Sequence, residues 1–427
     1  MGTTKKTMTV AVRAAVPVAI VAIVWYVTLP ILRYTLLMQE QKGLFLMTPD
    51  YFREVLSGSW PITTLISDFL VQFYSKPVLG SLLTGLIVAK VYLMVCTIFR
   101  FTSFRQVIGG LGAALTWLAI AHANTPHTGV VILMYSFLAA MISLCLPYRK
   151  FSVKGNSGIW QAAIVLTLFI GSAALLINDK ELNRKEKWYA VEYTARVHDW
   201  NLVLAIATPE LCRKDQSFVP YALLALNAKG MLAEKMFDYP ITGPESLGDI
   251  GEMNWSGYSL RSQIHEVIGC PNEAIHLTFQ MGMALPHGTG LGLLRQLIRL
   301  EIESGQYSLA RKHAAILSRN PMNRKYSESA LKMVVTAEEA DNSSLQDNDG
   351  NAIRSSDLMI SNNAIYNLGG IISYSPYATD AARERLLCHL LLSGDMTSFN
   401  ALLKEYSGNI PVNRLPKAFR AAASGQL

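Results

Sequence analysis

Three carboxylates, Glu40, Asp50 and Asp68, fall within one apolar stretch between residues 33 and 77. Acidic side chains at a membrane face can act as general bases on a lipid-linked substrate, so they are the first candidates for catalysis. No two of them stand at the spacing of a paired-acid motif, and helix caps or a solvated helix face would use the same residues. A second group, His265, Cys270, His276 and His287, offers metal-ligand side chains, but its spacings match no zinc pattern. Lys90 is the one charge deep inside an apolar run; it either works within the membrane or snorkels to its surface. Trp188, Tyr189, Tyr193 and Trp200 could line a partner-binding groove, although such aromatics more often pack helix against helix. The fragment Asp347-Asn348-Asp349-Gly350 lacks the first ligand and the closing glutamate of a calcium loop, and reads as a turn. The nucleophile elbow, the P-loop, HExxH and GxGxxG are all missing, so the sequence names no reaction, no metal and no cofactor.

The elements that must position these residues follow from apolar runs and charge. Five segments, 14–32, 79–99, 104–121, 129–146 and 158–177, reach or approach the length of a membrane span, with 104–121 short and glycine-rich. Lys5, Lys6, Arg13, Arg100, Arg105, Arg149, Lys150 and Lys154 flank them on one side, where no acid stands, and Glu40, Asp50, Glu54 and Asp68 lie on the other. Basic loops face the cytoplasm, which predicts a cytoplasmic N-terminus and an extracytoplasmic C-terminal domain. The whole chain carries a formal charge of +7. Residues 1–178 hold 13 Lys and Arg against 4 Asp and Glu, and residues 179–427 hold 25 against 27. The basic excess therefore belongs to the membrane half and argues against a nucleic-acid partner.

Between the first two spans, Ile62, Leu65, Ile66, Phe69, Leu70 and Phe73 repeat at helical period. The spacing predicts a helix over 61–74, too short to cross, flanked by Trp60 and Tyr74. It is expected to lie in the outer membrane–water boundary or over the spans. Thr48 and Pro49 mark a helix start before it. Cys96, Cys145, Cys212, Cys270 and Cys388 form no disulfide framework.

From residue 179 onward the apolar spacing is helical. His198-Asp199-Trp200, Gly230, Gly269, Gly305 and Gly394 each separate two amphipathic stretches, and Ala274 and Ala310 follow two of these turns by five residues. This predicts helix pairs of tetratricopeptide type, interrupted by a polar insertion over 341–357. Three stretches, Leu44–Tyr74, Ala225–Leu247 (ALNAKGMLAEKMFDYPITGPESL) and Ile268–Ser318, resemble an uncharacterised family of multi-pass membrane proteins of Bacteroidales-type bacteria with a tetratricopeptide-like C-terminal region. The resemblance implies an inner-membrane protein with an extracytoplasmic helical-repeat domain and carries over no functional residues.

The expected protein is all-α: a transmembrane domain over 1–178 with about five spans, then an α-solenoid of tetratricopeptide-like helix pairs over 179–427. Its expected function is that of a scaffold or adaptor, in contact with membrane lipid and binding a protein or envelope component. The second reading is an envelope glycan- or lipid-processing enzyme or transporter that uses Glu40, Asp50 and Asp68.

Overall fold

The computed structural model describes residues 2–123, 125–146, 158–248, 254–347, 364–374, 379–408 and 414–423. Among them every regular element is helical. The chain divides into two compact units, Met1–Lys187 and Trp188–Leu427.

In the first unit α1 is Gly2–Ile31, α2 Arg33–Lys42, α3 Pro49–Ser57, α4 Pro61–Val71, α5 Pro77–Ile98, α6 Arg105–His122, α7 His127–Cys145 and α8 Gly158–Asn178. Proline occupies the first turn of α3, α4 and α5, where its missing N–H costs nothing. The Thr48 hydroxyl accepts from the Tyr51 N–H at 3.3 Å and caps α3 as the sequence predicts.

Among the described residues four helices are long and apolar enough to cross a membrane: α1 from Ala14, α5, α7 and α8 from Ile159. The expected fifth, α6, is a helix of 18 residues, but its composition does not qualify it as a span. It carries Arg105, Gln106 and small residues because it is wedged between neighbours. A Cβ on Gly109 would lie 2.4 Å from Cys96 Sγ, and one on Gly110 would lie 2.7 Å from Val165 Cγ2. The Trp117 ring, fully buried, stacks on Phe169 and donates to Thr28 Oγ1 at 3.1 Å. Close contact replaces apolar area as the source of its stability.

Hydrogen bonds fix how these helices run. Gln161 at the start of α8 donates to the Ser103 carbonyl before α6 at 2.6 Å, and His122 ending α6 meets Asp179 just past α8 at 2.8 Å. The two helices are therefore parallel and matched end to end. Arg100, just after α5, donates to the Ser143 and Leu146 carbonyls at the end of α7. Trp25 near the end of α1 donates to the Val78 carbonyl at the start of α5.

In the second unit α9 is Lys180–Arg196, α10 Trp200–Ile206, α11 Pro209–Lys214, α12 Val219–Ala228, α13 Leu232–Lys235, α14 Trp255–Val267 and α15 Pro271–Gly282; the unit boundary falls within α9. Then come α16 Leu291–Glu303, α17 Tyr307–Leu317, α18 Arg324–Asp347, α19 Ala364–Tyr374, α20 Asp380–Leu392, α21 Met396–Ser407 and α22 Lys417–Ala423. Residues 341–347 of the expected insertion form the end of α18, and its remainder lies outside the described residues.

The predicted turns close helix pairs in one way. Gly230, Gly269, Gly305 and Gly394 are left-handed, with φ between 62° and 81°. In each case the next residue's N–H reaches back five residues, as in Cys270 to His265 and Gln306 to Glu301. This double bond set satisfies the last carbonyls of the first helix. Ala274 and Ala310, both fully buried, stand where the second helix of each pair comes close.

Helices α14 to α18 pack in chain order. The last helices do not continue that stack, which departs from the open solenoid expected. They return to α12 and α13: Asn227 donates to the Ala381 carbonyl and to Glu384, whose other oxygen accepts from the Ala233 N–H at 3.0 Å. Arg385, fully buried, donates to the Leu247 carbonyl. The reason lies in α12, where Val219 and Tyr221 through Asn227 are all buried. A helix apolar on every side needs cover on every side, and the C-terminal helices supply what sequence neighbours cannot.

Gly230→Ala meets open space and tests the backbone alone, so it should cost about 1 kcal/mol in denaturant unfolding of the full chain. Gly269→Ala should cost more, because its Cβ would also lie 2.7 Å from Thr379 Cγ2.

Candidate functional site

The three outer-loop acids are placed differently from one another. Asp50 opens α3, and its side chain is exposed and pairs with Arg53 at 3.0 Å. Asp68, on α4, is buried and accepts from the Tyr51 hydroxyl at 2.8 Å. That hydroxyl also lies 3.1 Å from the Leu44 carbonyl. Burial first, and then the Asp68 charge, drives the Tyr51 hydroxyl far above its ordinary range, so it stays a donor. Glu40 is buried on α2. The N-terminus of that helix is held by Glu186 of α9, which accepts from the Tyr34 N–H, the Thr35 N–H and the Thr35 hydroxyl. Burial raises the Glu186 carboxyl while those bonds pull it back. Asp50 and Asp68 thus take opposite environments, one solvated and one tied to a phenol. Lys90 is exposed on the outside of α5, the position from which a lysine snorkels.

Of the aromatic candidates in the second unit, Trp188 and Trp200 pack against the main core. Trp188 meets Tyr189 and Tyr221 edge-on, and Tyr193 is half-buried on α9. His265 and Cys270 are buried, and His276 turns to Glu273 at 3.3 Å. Among the described residues no three His, Cys, Asp or Glu side chains gather as a metal requires.

The most heavily connected polar group in this unit centres on the turn after α9. His198 is left-handed, with φ 60°, in the position that glycine fills in the other four turns. Its N–H and that of Asp199 make the same pair of bonds, to Ala195 and Thr194. A left-handed non-glycine residue is strained by about 1 kcal/mol, so the imidazole must recover that from its contacts. It stacks on Trp200, and its Nε2 lies 3.1 Å from Oε1 of Glu266 on α14. Arg299 of α16 grips both oxygens of the same carboxylate, at 2.7 and 2.8 Å, and reaches the Arg196 carbonyl. Burial alone would raise the Glu266 carboxyl; the His198 hydrogen bond and the Arg299 charge outweigh it and hold it below its ordinary value.

One turn back along α9 lies a second buried pair. Glu192 Oε1 accepts from Arg196 at 2.9 Å, from the Trp255 indole at 3.1 Å and from Ser259 at 2.9 Å. Both charged side chains are more than nine-tenths buried, and Trp255 lies beneath the guanidinium. Among the described residues, Arg196 Nε and Nη1, Glu192 Oε2, the Tyr221 hydroxyl and Gln263 Oε1 find no hydrogen-bond partner. Buried polar atoms of this kind are where ordered water belongs. Sequence reading missed both clusters. Glu192 and Arg196 stand at the i, i+4 spacing of any surface helix, and only their burial distinguishes them.

What these residues define is a two-unit helical chain: a bundle with four helices able to cross a membrane, and helix pairs whose first helices carry buried ion pairs. Residues 7–179 and 177–424 match the model of a family described as "Family of unknown function (DUF6057)", and the chain belongs to that family. No curated protein and no solved structure matches it.

Glu266→Gln should destabilise the chain by about 1–2 kcal/mol at pH 7, because it removes the charge partner of a guanidinium that is only partly buried. A carboxyl held below its ordinary 4.5 adds stability above that pH and loses it as pH falls through the lowered value. His198→Gly relieves the strained turn but removes one of the two groups that hold the Glu266 pKa down. Its acid unfolding midpoint should therefore move to higher pH, read by circular dichroism from pH 7 to 3.

Proposed function

We propose that the protein is a membrane-anchored scaffold that holds its helix-pair domain at a bacterial inner membrane to bind a protein or envelope component. The stacked pairs α14 to α18, on a chain with four candidate spans, carry this reading. Such pairs make extended surfaces for peptides, and Trp188, Tyr189, Tyr193 and Trp200 are the side chains to probe on the first helices of the array.

The orientation that goes with it has a cytoplasmic N-terminus and an extracytoplasmic second unit. Ends on opposite sides require an odd number of crossings, so this orientation needs α6 to cross although its composition does not mark it. Its ends are bonded to both ends of α8, so α6 traverses whatever α8 traverses. Arg100 and Arg105 then lie at the cytoplasmic end. The side chains of Lys5, Lys6, Arg13, Arg149, Lys150 and Lys154 fall outside the described residues.

The second reading, an envelope glycan- or lipid-processing enzyme or transporter, draws on one observation: Glu40 and Asp68 are buried carboxylates on the loop side of the bundle. Asp68→Asn at unchanged abundance separates the two. A scaffold keeps its function, and an enzyme loses it.

In vivo crosslinking of the full-length chain, with a chain ending at Asn178 as control, tests the scaffold directly. A defined envelope protein captured only by the full-length chain is the expected outcome; a lipid or glycan retained by the short chain would overturn it. Alkaline phosphatase fused after residue 102 should be inactive and fused after residue 408 active.

A further inference from the structure

Helix α4 is amphipathic in the reverse of the sense expected for a helix on a wet surface. Thr63, Ser67 and Asp68 are buried, while Ile62, Ile66 and Phe69 are exposed. Its polar side faces protein: Thr63 Oγ1 meets Met134 Sδ at 3.2 Å and Asp68 meets Tyr51. A helix in water would turn the other way, because exposed isoleucine and phenylalanine are stabilised only by apolar surroundings.

Depth follows from the contact at the start of α4. Helix α3 and α4 form an antiparallel hairpin, with Tyr51 early in α3 bonded to Asp68 late in α4 and the tip at Gly58-Ser59-Trp60. Trp60 is left-handed at φ 60°, and its ring lies 6.1 Å from that of Tyr135. Tyr135 stands eight residues into α7, hence about 12 Å along its axis at 1.5 Å per residue. With its 19 residues α7 is only long enough to cross the hydrocarbon. The hairpin tip therefore reaches well below the level at which α7 begins. Of the charged residues of α3, Asp50 sits at the end of the hairpin away from the tip, Arg53 and Glu54 lie midway along it, and Leu56 near the tip is again an exposed apolar side chain. The outward faces of α4 and α7 are continuous through the Trp60–Tyr135 contact.

We propose that α3 and α4 form a re-entrant hairpin: it enters the leaflet on the side where α1 ends and α5 begins, presents Ile62, Ile66 and Phe69 to acyl chains, and returns to the same side. This rests on the reading of α7 as a span. The hairpin adds a membrane-buried element that contributes nothing to the count of crossings.

Spin labels on the full-length chain in phosphatidylcholine vesicles test it. Cys96 and Cys145 are replaced by serine, and the three buried cysteines of the second unit are kept. Labels at Ile62→Cys, Ile66→Cys and Phe69→Cys should collide with oxygen several-fold more than with a water-soluble nickel chelate, and a label at Asp50→Cys should show the reverse. Leu138→Cys on α7 is the reference. Nickel-accessible labels on α4 beside an oxygen-accessible Leu138→Cys would overturn the hairpin and leave the span standing. A nickel-accessible Leu138→Cys would overturn both. Trp60 gives a readout that needs no label: the fluorescence lost to lipids brominated in mid-chain should be smaller in Trp60→Phe than in the wild type. An equal loss would count against the hairpin.

Discussion

A helix that ends inside a protein leaves carbonyls that must be bonded, and this constraint organises the second unit. The chain answers it five times with the same left-handed turn, in which two N–H groups fold back over the helix they terminate. Because the bonds are made locally, the following helix can start at once and lie against the first. Pair formation and termination are then one event, and stacking of the pairs needs only small residues such as Ala274 and Ala310 at the contacts. His198 is the exception that keeps the geometry while giving up glycine's freedom. Its ring is thereby placed to join the Glu266–Arg299 pair, so that the first turn is tied to α14 and α16 by polar contacts.

In the first unit the governing constraint is exposed apolar surface: Val18, Tyr26, Phe137 and Leu175 stand at the surface, while Thr63, Ser67, Asp68, Thr28 and Gln161 are buried. Burying them is acceptable only where partners are found, and several are: Thr28 takes the Trp117 indole, Gln161 the Ser103 carbonyl and Asp68 the Tyr51 hydroxyl. Glycine in α6 does related work by letting backbones approach, the usual route to association when neighbouring lipid is as apolar as the helix.

The parts legible in sequence were those set by local chemistry. Four turns were readable because glycine alone is at ease in a left-handed position, the start of α3 because Thr48 and Pro49 announce it, and α4 because its apolar residues recur at helical period. What periodicity could not give was direction: the stripe of Ile62, Ile66 and Phe69 reads the same whether it faces core or lipid. Composition marks four helices as spans and not α6, because that helix is held by contact with protein and carries small and polar residues where the others carry apolar ones. The candidate acids were visible but not their separation, since nothing near Asp68 in the chain tells that Tyr51 will bond it. The ion pairs of α9 and α14 were invisible because burial is a property of the assembled unit.

The return of the last helices onto α12 has a bearing on how the protein is made. Asn227 is bonded to Glu384, 157 residues further along the chain. At about 5–20 residues per second, a ribosome needs on the order of ten seconds to bridge that interval. Throughout it a helix buried along nearly its whole length has been synthesised while one of its walls has not. Vectorial folding from the N-terminus can build the pairs α14 to α18 as they emerge, but it must leave α12 uncovered until α20 arrives. The nascent chain is therefore at its stickiest in mid-synthesis, and truncation near the C-terminus would expose the centre of the domain as well as trim its end.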